Sequence, residues 1–526
     1  MSKLVLLTYV LCLTCLTSYG QGHIPLEEYY RTESNRIIAR DSSLQTTRNQ
    51  HTSIQPLQRK RTDPNQLFKS EGKYYYWITQ KLFKEHFIQF IGENYWMSID
   101  PIIDLELGTD LSSDSSKMLY WNTRGFRVQG EILEKVSFSS EFYENQAILP
   151  NYQQHYVNRY GEFFPNAANT TYQQQNAVIP GYARTKSFKL TGYDFAFATG
   201  NITYEPNSFF NFTIGNGNHK IGNGYRSLLL SDYTVNYPFA QIETNFWQDR
   251  IQYNVIYALH QNLYRLHTFS TPEATYERKI GTYHYLDIAL TEKITLGLFE
   301  AAHWKRVDSL GSHQPDYLFI NPVPFVNYFV KGDKSEGYNA LLGLNFVFKH
   351  EATQFYSQLV FDQNSVGAYQ IGLQFLDVLV DKLDFLIEYN HAAENTYTSD
   401  QKRYNFSHFN LPIAHPYTNG FDEIIGQISY QHNRFFIQNR INYSKRISNT
   451  ANLPIILNPT MSASQSNFTH IIYNQFEIGY RFNRAYNLQM FAGHLYRNET
   501  MPSNNPLTNY AYLGLRTRLK NKYIDY

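Results

Sequence analysis

The segment Ile214 to Tyr233, I-G-N-G-N-H-K-I-G-N-G-Y-R-S-L-L-L-S-D-Y, interrupts an alternating apolar and polar pattern on both sides and gathers groups able to do chemistry. Gly215, Gly217, Gly222 and Gly224 free the backbone for close approach to another group, while Asn216, Asn218, His219, Lys220, Asn223, Tyr225, Arg226 and Asp232 supply donors and acceptors. Such a loop is expected to line a polar cavity and to contact a ligand through those side chains. It is not a phosphate loop, because Gly222 is followed by Asn223 and Gly224 rather than by Lys and Ser or Thr. His219, Ser227 and Asp232 invite a triad reading, but a triad is defined by geometry and not by closeness in sequence. His391 and His415 stand alone, so neither a metal nor another cofactor is expected. Arg226 and Asp232 have a structural alternative: pairing with each other, or with Arg124 and Glu144 on neighbouring strands, to lock the loop inside a lumen.

The elements that must position this loop follow from composition. The 526-residue chain has a formal charge of +1 and 17% aromatic residues, with Tyr 45 and Phe 37. That balance gives no basis for nucleic-acid binding. Residues 1–20 read as a secretory signal, with Lys3 before the apolar run Leu4 to Leu16 and the small-x-small site Ser18-Tyr19-Gly20. Cys12 and Cys15 both fall inside it, which leaves no thiol for a disulfide or a metal site in the exported chain. Beyond residue 20 no stretch approaches the ~20 apolar residues of a transmembrane helix. An exported, aromatic-rich chain of this kind is expected to be all-β: an antiparallel transmembrane barrel in the outer membrane, contacting its lipid and inserted by the barrel-insertion machinery.

Residues 21–95 read as a periplasmic lead-in, with a short helix near Leu26 to Arg40 and a solvated basic run Arg59-Lys60-Arg61. Helical spacing of Trp77, Leu82, Phe83, His86, Phe87, Phe90 and Ile91 predicts an amphipathic helix over Ile78 to Ile91, packed beneath or inside the barrel. From 96 to 526 the period is two, and about 18 strands run from 96–108 to 508–520. Arg127, Glu131, Glu477 and Arg481 must face the lumen, since each would cost ~2–4 kcal/mol at the bilayer midplane. Every other connection is short, as at Glu134, Asp249 and Asn433, which assigns the short turns to the periplasm. The long connections 147–192, 218–239, 264–278, 307–337, 396–420 and 446–467 are then extracellular or folded into the lumen.

Lys81-Leu82-Phe83-Lys84-Glu85, Ile99-Asp100-Pro101, Asn122-Thr123-Arg124-Gly125-Phe126, Glu144-Asn145-Gln146 and above all Gly222 to Asp232 resemble the capsule-assembly Wzi-like outer-membrane family, in the Bacteroidetes-type branch that includes the gliding-motility barrel protein RemB. The resemblance covers roughly residues 76–247. It implies an 18-strand barrel with an N-terminal helical segment, a non-enzymatic role in binding, assembling or attaching surface polysaccharide, and a link to gliding with other envelope proteins as partners. Tyr152, Tyr156, Tyr160, Tyr172 and Gln173 to Gln175 in the first long loop suit sugar recognition. A porin-like or hydrophobic-solute channel is the alternative, since 16–18 strands leave room for an aqueous bore.

Overall fold

In the computed structural model, residues 22–58, 64–68, 70, 72–113, 117–165, 172–266, 276–308, 310–314, 316–332, 334–335, 337–362, 365–399, 402–447, 468–501 and 505–526 are described. The expected secretory signal and the basic run Arg59 to Arg61 lie outside the described residues. Eighteen antiparallel strands close into one barrel. In order they are β1 (Tyr95–Asp110), β2 (Leu119–Ile132), β3 (Val136–Ile148), β4 (Gly192–Tyr204), β5 (Phe210–Gly217), β6 (Tyr237–Phe246), β7 (Ile251–Arg265), β8 (Tyr276–Ala289), β9 (Ile294–Asp308), β10 (Tyr338–His350), β11 (Thr353–Asp362), β12 (Ser365–Phe375), β13 (Leu383–Ala392), β14 (Phe421–His432), β15 (Phe435–Ile447), β16 (Phe468–Asn483), β17 (Leu488–Thr500) and β18 (Leu507–Thr517). Each pairs with its sequence neighbours, and β18 closes the wall by pairing with Asp104 to Asp110 of β1. Alternation carries through: Ile437, Ile441, Phe476 and Ile478 are exposed outward, whereas Arg127, Glu131, Glu477 and Arg481 are buried in the lumen.

The expected helix over Ile78 to Ile91 is shorter and differently placed. Helix α2 (Trp77–Phe83) ends at Lys84, and Ile88–Ile91 forms a strand paired with Trp96 to Ile99. Asp100 decides this, accepting hydrogen bonds from His86 Nδ1 at 2.6 Å and the Phe87 amide at 2.9 Å. The extra strand covers the lower edge of β1 that β18 leaves unpaired, an edge that hydrocarbon would not tolerate. The helix lies on the periplasmic rim, not inside. Tyr75, Tyr76, Trp77 and Ile78 are exposed there, as in the aromatic girdles of outer-membrane barrels.

The lead-in occupies the bore. Helix α1 (Glu28–Arg40) caps the periplasmic mouth from within, Arg36 pairing with Glu33, Asp377 and Asp384. Downstream of it, Ile54–Gln55 pairs with Lys220–Ile221 at the centre of the lumen. Residues 218–236, 396–399, 402–420 and the post-barrel segment 518–526 fill the remaining space. Between these segments the internal cavities hold about 80, 50 and 110 Å³, room for a few waters each.

Arg124 and Glu144, expected to face the lumen, share the outer face with Phe126 and Phe142. Their side chains are 59% and 52% exposed and 3.8 Å apart. On that face the Arg124–Glu144 pair stands between Phe126 and Phe142 on one side and Asn122 and Gln146 on the other, each charge answered by the other. An outward charge with no such partner carries the full penalty. Ile441→Arg is expected to destabilise the barrel by about 2–4 kcal/mol in denaturant unfolding from liposomes, with Ile441→Leu close to neutral.

Candidate functional site

The chain leaves the wall at Gly217 because β4 and β5 pair only from Phe212 to Asn216. Above that point the Ala198 carbonyl accepts from the amides of Asn216 and Asn236, at 3.0 and 3.2 Å, which finishes the open edge of β4. Asn216 therefore sits on the outer face, and the other seven polar residues expected to contact a ligand lie inside. His219, Lys220, Asn223, Tyr225, Arg226 and Asp232 are buried. Asn218 bonds the Thr234 carbonyl at 2.7 Å.

Arg226, 1% exposed, is the centre of the lumen. Its guanidinium grips Glu423 through two bonds, at 2.9 and 3.2 Å, and Asp525 at 3.1 Å. The amides of Tyr225 and Arg226 donate to the Glu388 carboxylate at 2.7 and 3.1 Å. His415 meets Glu423 at 2.7 Å, and Tyr225 Oη donates to Asp525 at 2.9 Å. Asn223 accepts from Ser53 Oγ at 2.8 Å, and Arg31 and Lys220 donate to the carbonyls of the same turn. Gly222 has φ +131°, and a Cβ at Gly224 would lie 2.3 Å from the Glu388 carboxylate, so the glycines allow this close seating.

Expectation and geometry meet in part. Arg226 and Asp232 pair neither with each other nor with Arg124 and Glu144: Asp232 accepts from Tyr523 Oη at 2.7 Å and Asn521 at 2.8 Å. His219 meets Tyr237 at 3.2 Å and Ser227 bonds the Ile221 carbonyl, so the three residues of a conceivable triad point to separate partners. Burial lowers the His219 pKa to about 3, and burial together with the nearby Arg31 charge lowers that of Lys220 to about 8. For Asp525, burial pushes the carboxyl up, but Arg226 and Arg440 outweigh it and the net shift is downward.

Above the lock, at the ends of the long connections, lies a cavity of about 550 Å³. Helix α3 (Asn151–Arg159), the ends of β15 and β17, the start of β18 and Tyr526 enclose it. Tyr526 stacks on Tyr156 with ring centres 3.6 Å apart, and Arg497 lies 4.8 Å over the Tyr152 ring. Glu499 bridges Arg446 and Arg497, each at 2.9 Å. His155 and Asn151 are exposed on the rim, and Arg159 lines the cavity beside them. Tyr152, Tyr156 and Tyr160 were readable as sugar-binding candidates. Arg446, Glu499 and Tyr526 were not, because the first two come from distant strand ends and the third from the post-barrel segment. The paired segments Glu162–Pro165 and Tyr172–Gln175 form a separate hairpin, reached through Phe163 from Tyr264 of β7.

No family model matches the chain, and no curated protein matches it. Among solved structures it is similar to Wzi, an outer-membrane protein involved in group 1 capsule assembly in Escherichia coli and described as a carbohydrate-binding β-barrel. That similarity has TM-score 0.54 and 12% identity over 94% of this chain and 98% of the other. It is also similar to OccAB2 of Acinetobacter baumannii, TM-score 0.40 and 10% identity over 80% and 96%, and to OprD of Pseudomonas aeruginosa, TM-score 0.41 and 9% over 80% and 94%. The fold is that of an outer-membrane barrel.

The lock yields two expectations. Arg226→Ala leaves Glu423 to His415 and Asp525 to the more distant Arg440, at 3.6 Å, and is expected to cost roughly 3–5 kcal/mol in denaturant unfolding of the detergent-solubilised protein, with Arg226→Lys losing part of that. Because the Asp525 pKa is lowered on folding, its contribution is present above the ordinary carboxylate value and lost as pH falls through the folded one. Thermal stability should therefore drop on acidification below about pH 4, and less so in Asp525→Asn.

Proposed function

We propose that the protein binds polysaccharide in the cavity between α3 and the ends of β15 and β17, at the outer surface of a plugged barrel. The observation that carries this reading is the cavity's lining: the rings of Tyr152, Tyr156, Tyr160, Tyr417 and Tyr526 stand beside Arg159, Arg446, Arg497 and Glu499. Sugars present apolar ring faces and a rim of hydroxyls, and aromatic faces beside planar charged donors match both. A volume of about 550 Å³ suits a short stretch of glycan. Arg159 and His155 are the donors we assign to direct glycan contact. Carbohydrate binding by Wzi is in line with this assignment, and capsule assembly, or surface attachment linked to gliding in a Bacteroidetes-type envelope, is the cellular role it fits.

In this reading the Gly-rich stretch supports the site from below rather than touching glycan. Arg226 holds Asp525, and the next residue, Tyr526, stacks on Tyr156 inside the cavity. Arg226 is thus a positioning residue. The filled bore favours a binding barrel over a porin.

Arg159→Ala is expected to weaken binding of purified surface polysaccharide by roughly 1.5–3 kcal/mol in titration calorimetry, the range for a hydrogen bond to a charged donor, with barrel heat-modifiability unchanged. Unaltered binding would remove Arg159 from the site. The wild-type protein should give no large steps in a planar bilayer; open steps of porin size would favour the transport reading.

A further inference from the structure

The outer wall of β7 to β9 carries polar residues where a lipid-facing strand should be apolar: Tyr253, Tyr257, Thr282, His284 and Glu300. Thr282, His284 and Glu300 are buried and Tyr253 and Tyr257 half-buried, because the connection between β9 and β10 folds down over them. Residues Tyr317–Ile320 form a turn of 3-10 helix and Val326–Lys331 a short helix, and both lie against the outside of the barrel. Tyr253 Oη donates to the Pro322 carbonyl, Tyr257 Oη to that of Ile320 at 3.2 Å, and Thr282 Oγ1 to that of Phe319 at 3.1 Å. Glu300, 0% exposed, accepts from the amides of Phe325 at 2.6 Å and Tyr328 at 3.0 Å. The left-handed Phe325, φ 67°, turns the chain so that both amides reach one carboxylate. An Asp316–Lys331 pair closes the segment on itself. Its far side exposes Tyr317, Ile320, Val323, Phe329 and Val330, with Phe329 82% exposed.

We infer that residues 317–331 form a strap lying in the lipid phase, with its exposed side in contact with the acyl chains of the outer membrane. The long connections were expected outside the membrane or within the lumen; this one does neither. Glu300 is the seventh residue of β9, which at ~3.3 Å per residue and a tilt near 40° puts it about 15 Å above the periplasmic turn, within the hydrocarbon band. Irregular backbone survives at that depth only if protein satisfies its polar groups, and the wall supplies a hydroxyl or carboxylate to each of the strap groups named above. In water those carbonyls would need no such partners, and the five large apolar side chains would be left against solvent. Their exposed faces instead continue the apolar surface of the neighbouring wall, where Leu344, Phe346 and Phe348 follow on β10.

Photo-crosslinking in assembled outer membranes tests this directly. With p-benzoylphenylalanine replacing Phe329, irradiation is expected to give lipid adducts by mass spectrometry, as it should at the wall position Ile441. Absence of lipid adducts at 329 where 441 gives them overturns the inference, and so does linkage of 329 to a second polypeptide. Glu300→Leu should free the strap, raising the rate of chymotrypsin cleavage after Tyr328 or Phe329 at least tenfold in detergent, with Glu300→Gln between the two. An unchanged rate in a barrel that still shows heat-modifiability also overturns it. Should Glu300→Leu fail to assemble, the adduct at Phe329 in the otherwise unaltered chain decides alone.

Discussion

Hydrocarbon supplies no hydrogen-bond partner, and the organisation of this protein follows from that. The wall must close so that no strand edge is left open, which is why β18 meets β1 and why the four residues Ile88–Ile91 complete the part of that edge β18 does not reach. Closure with alternating polarity then forces charge inward. Arg127, Glu131, Glu477 and Arg481 crowd the bore, and each buried charge needs a partner of its own. The chain provides them: Arg518 and Arg516 reach Glu477, and Arg226 reaches Glu423. Filling the lumen is thus partly a consequence of building the wall.

Much of this could be read from the residues. Period-two alternation located every strand of the barrel to within a few positions, because the contrast between lipid and lumen is imposed at every second residue. Where two periods overlap, sequence alone fails. Trp77, Leu82, Phe83, Phe87 and Phe90 fit helical spacing, while Ile88 to Ile91 also fits a strand, and the choice falls to Asp100, which captures the backbone at Phe87. Arg124 and Glu144 were misplaced for a different reason. Their parity matches Phe126 and Phe142, so their outward direction was present in the pattern, but the ion pair that lets two charges stand there was not.

The interior was less legible still. Spacing marked Gly222 and Gly224 as places of close approach, and the structure uses them so, against Gln358 and Glu388. It could not reveal that Arg226 meets Glu423, 197 residues away, and Asp525, 299 residues away. Partners at such separations are fixed by barrel closure, a global property with no local signature. The same holds for the outer cavity: Tyr152, Tyr156, Arg159 and Tyr160 cluster in one loop, but Arg446, Arg497 and Glu499 come from strand ends brought together only by the circumference.

Lock and cavity are joined by a single peptide bond. Asp525 takes its charge partner from Arg226 and further hydrogen bonds from Tyr225 and Asn442, each at 2.9 Å, while Tyr526 lies flat on Tyr156 and its carbonyl accepts from Arg497 at 3.1 Å. Adjacent α-carbons stand only ~3.8 Å apart, about the separation of the two stacked rings, so a displacement of Asp525 comparable to one residue would unseat Tyr526 altogether. The segment that fills the bore therefore also sets the shape of the surface above it. Blocking passage alone would not require Tyr526 to stand among the rings of Tyr152, Tyr156 and Tyr417, so the fill of the bore and the shape of the outer cavity are set together.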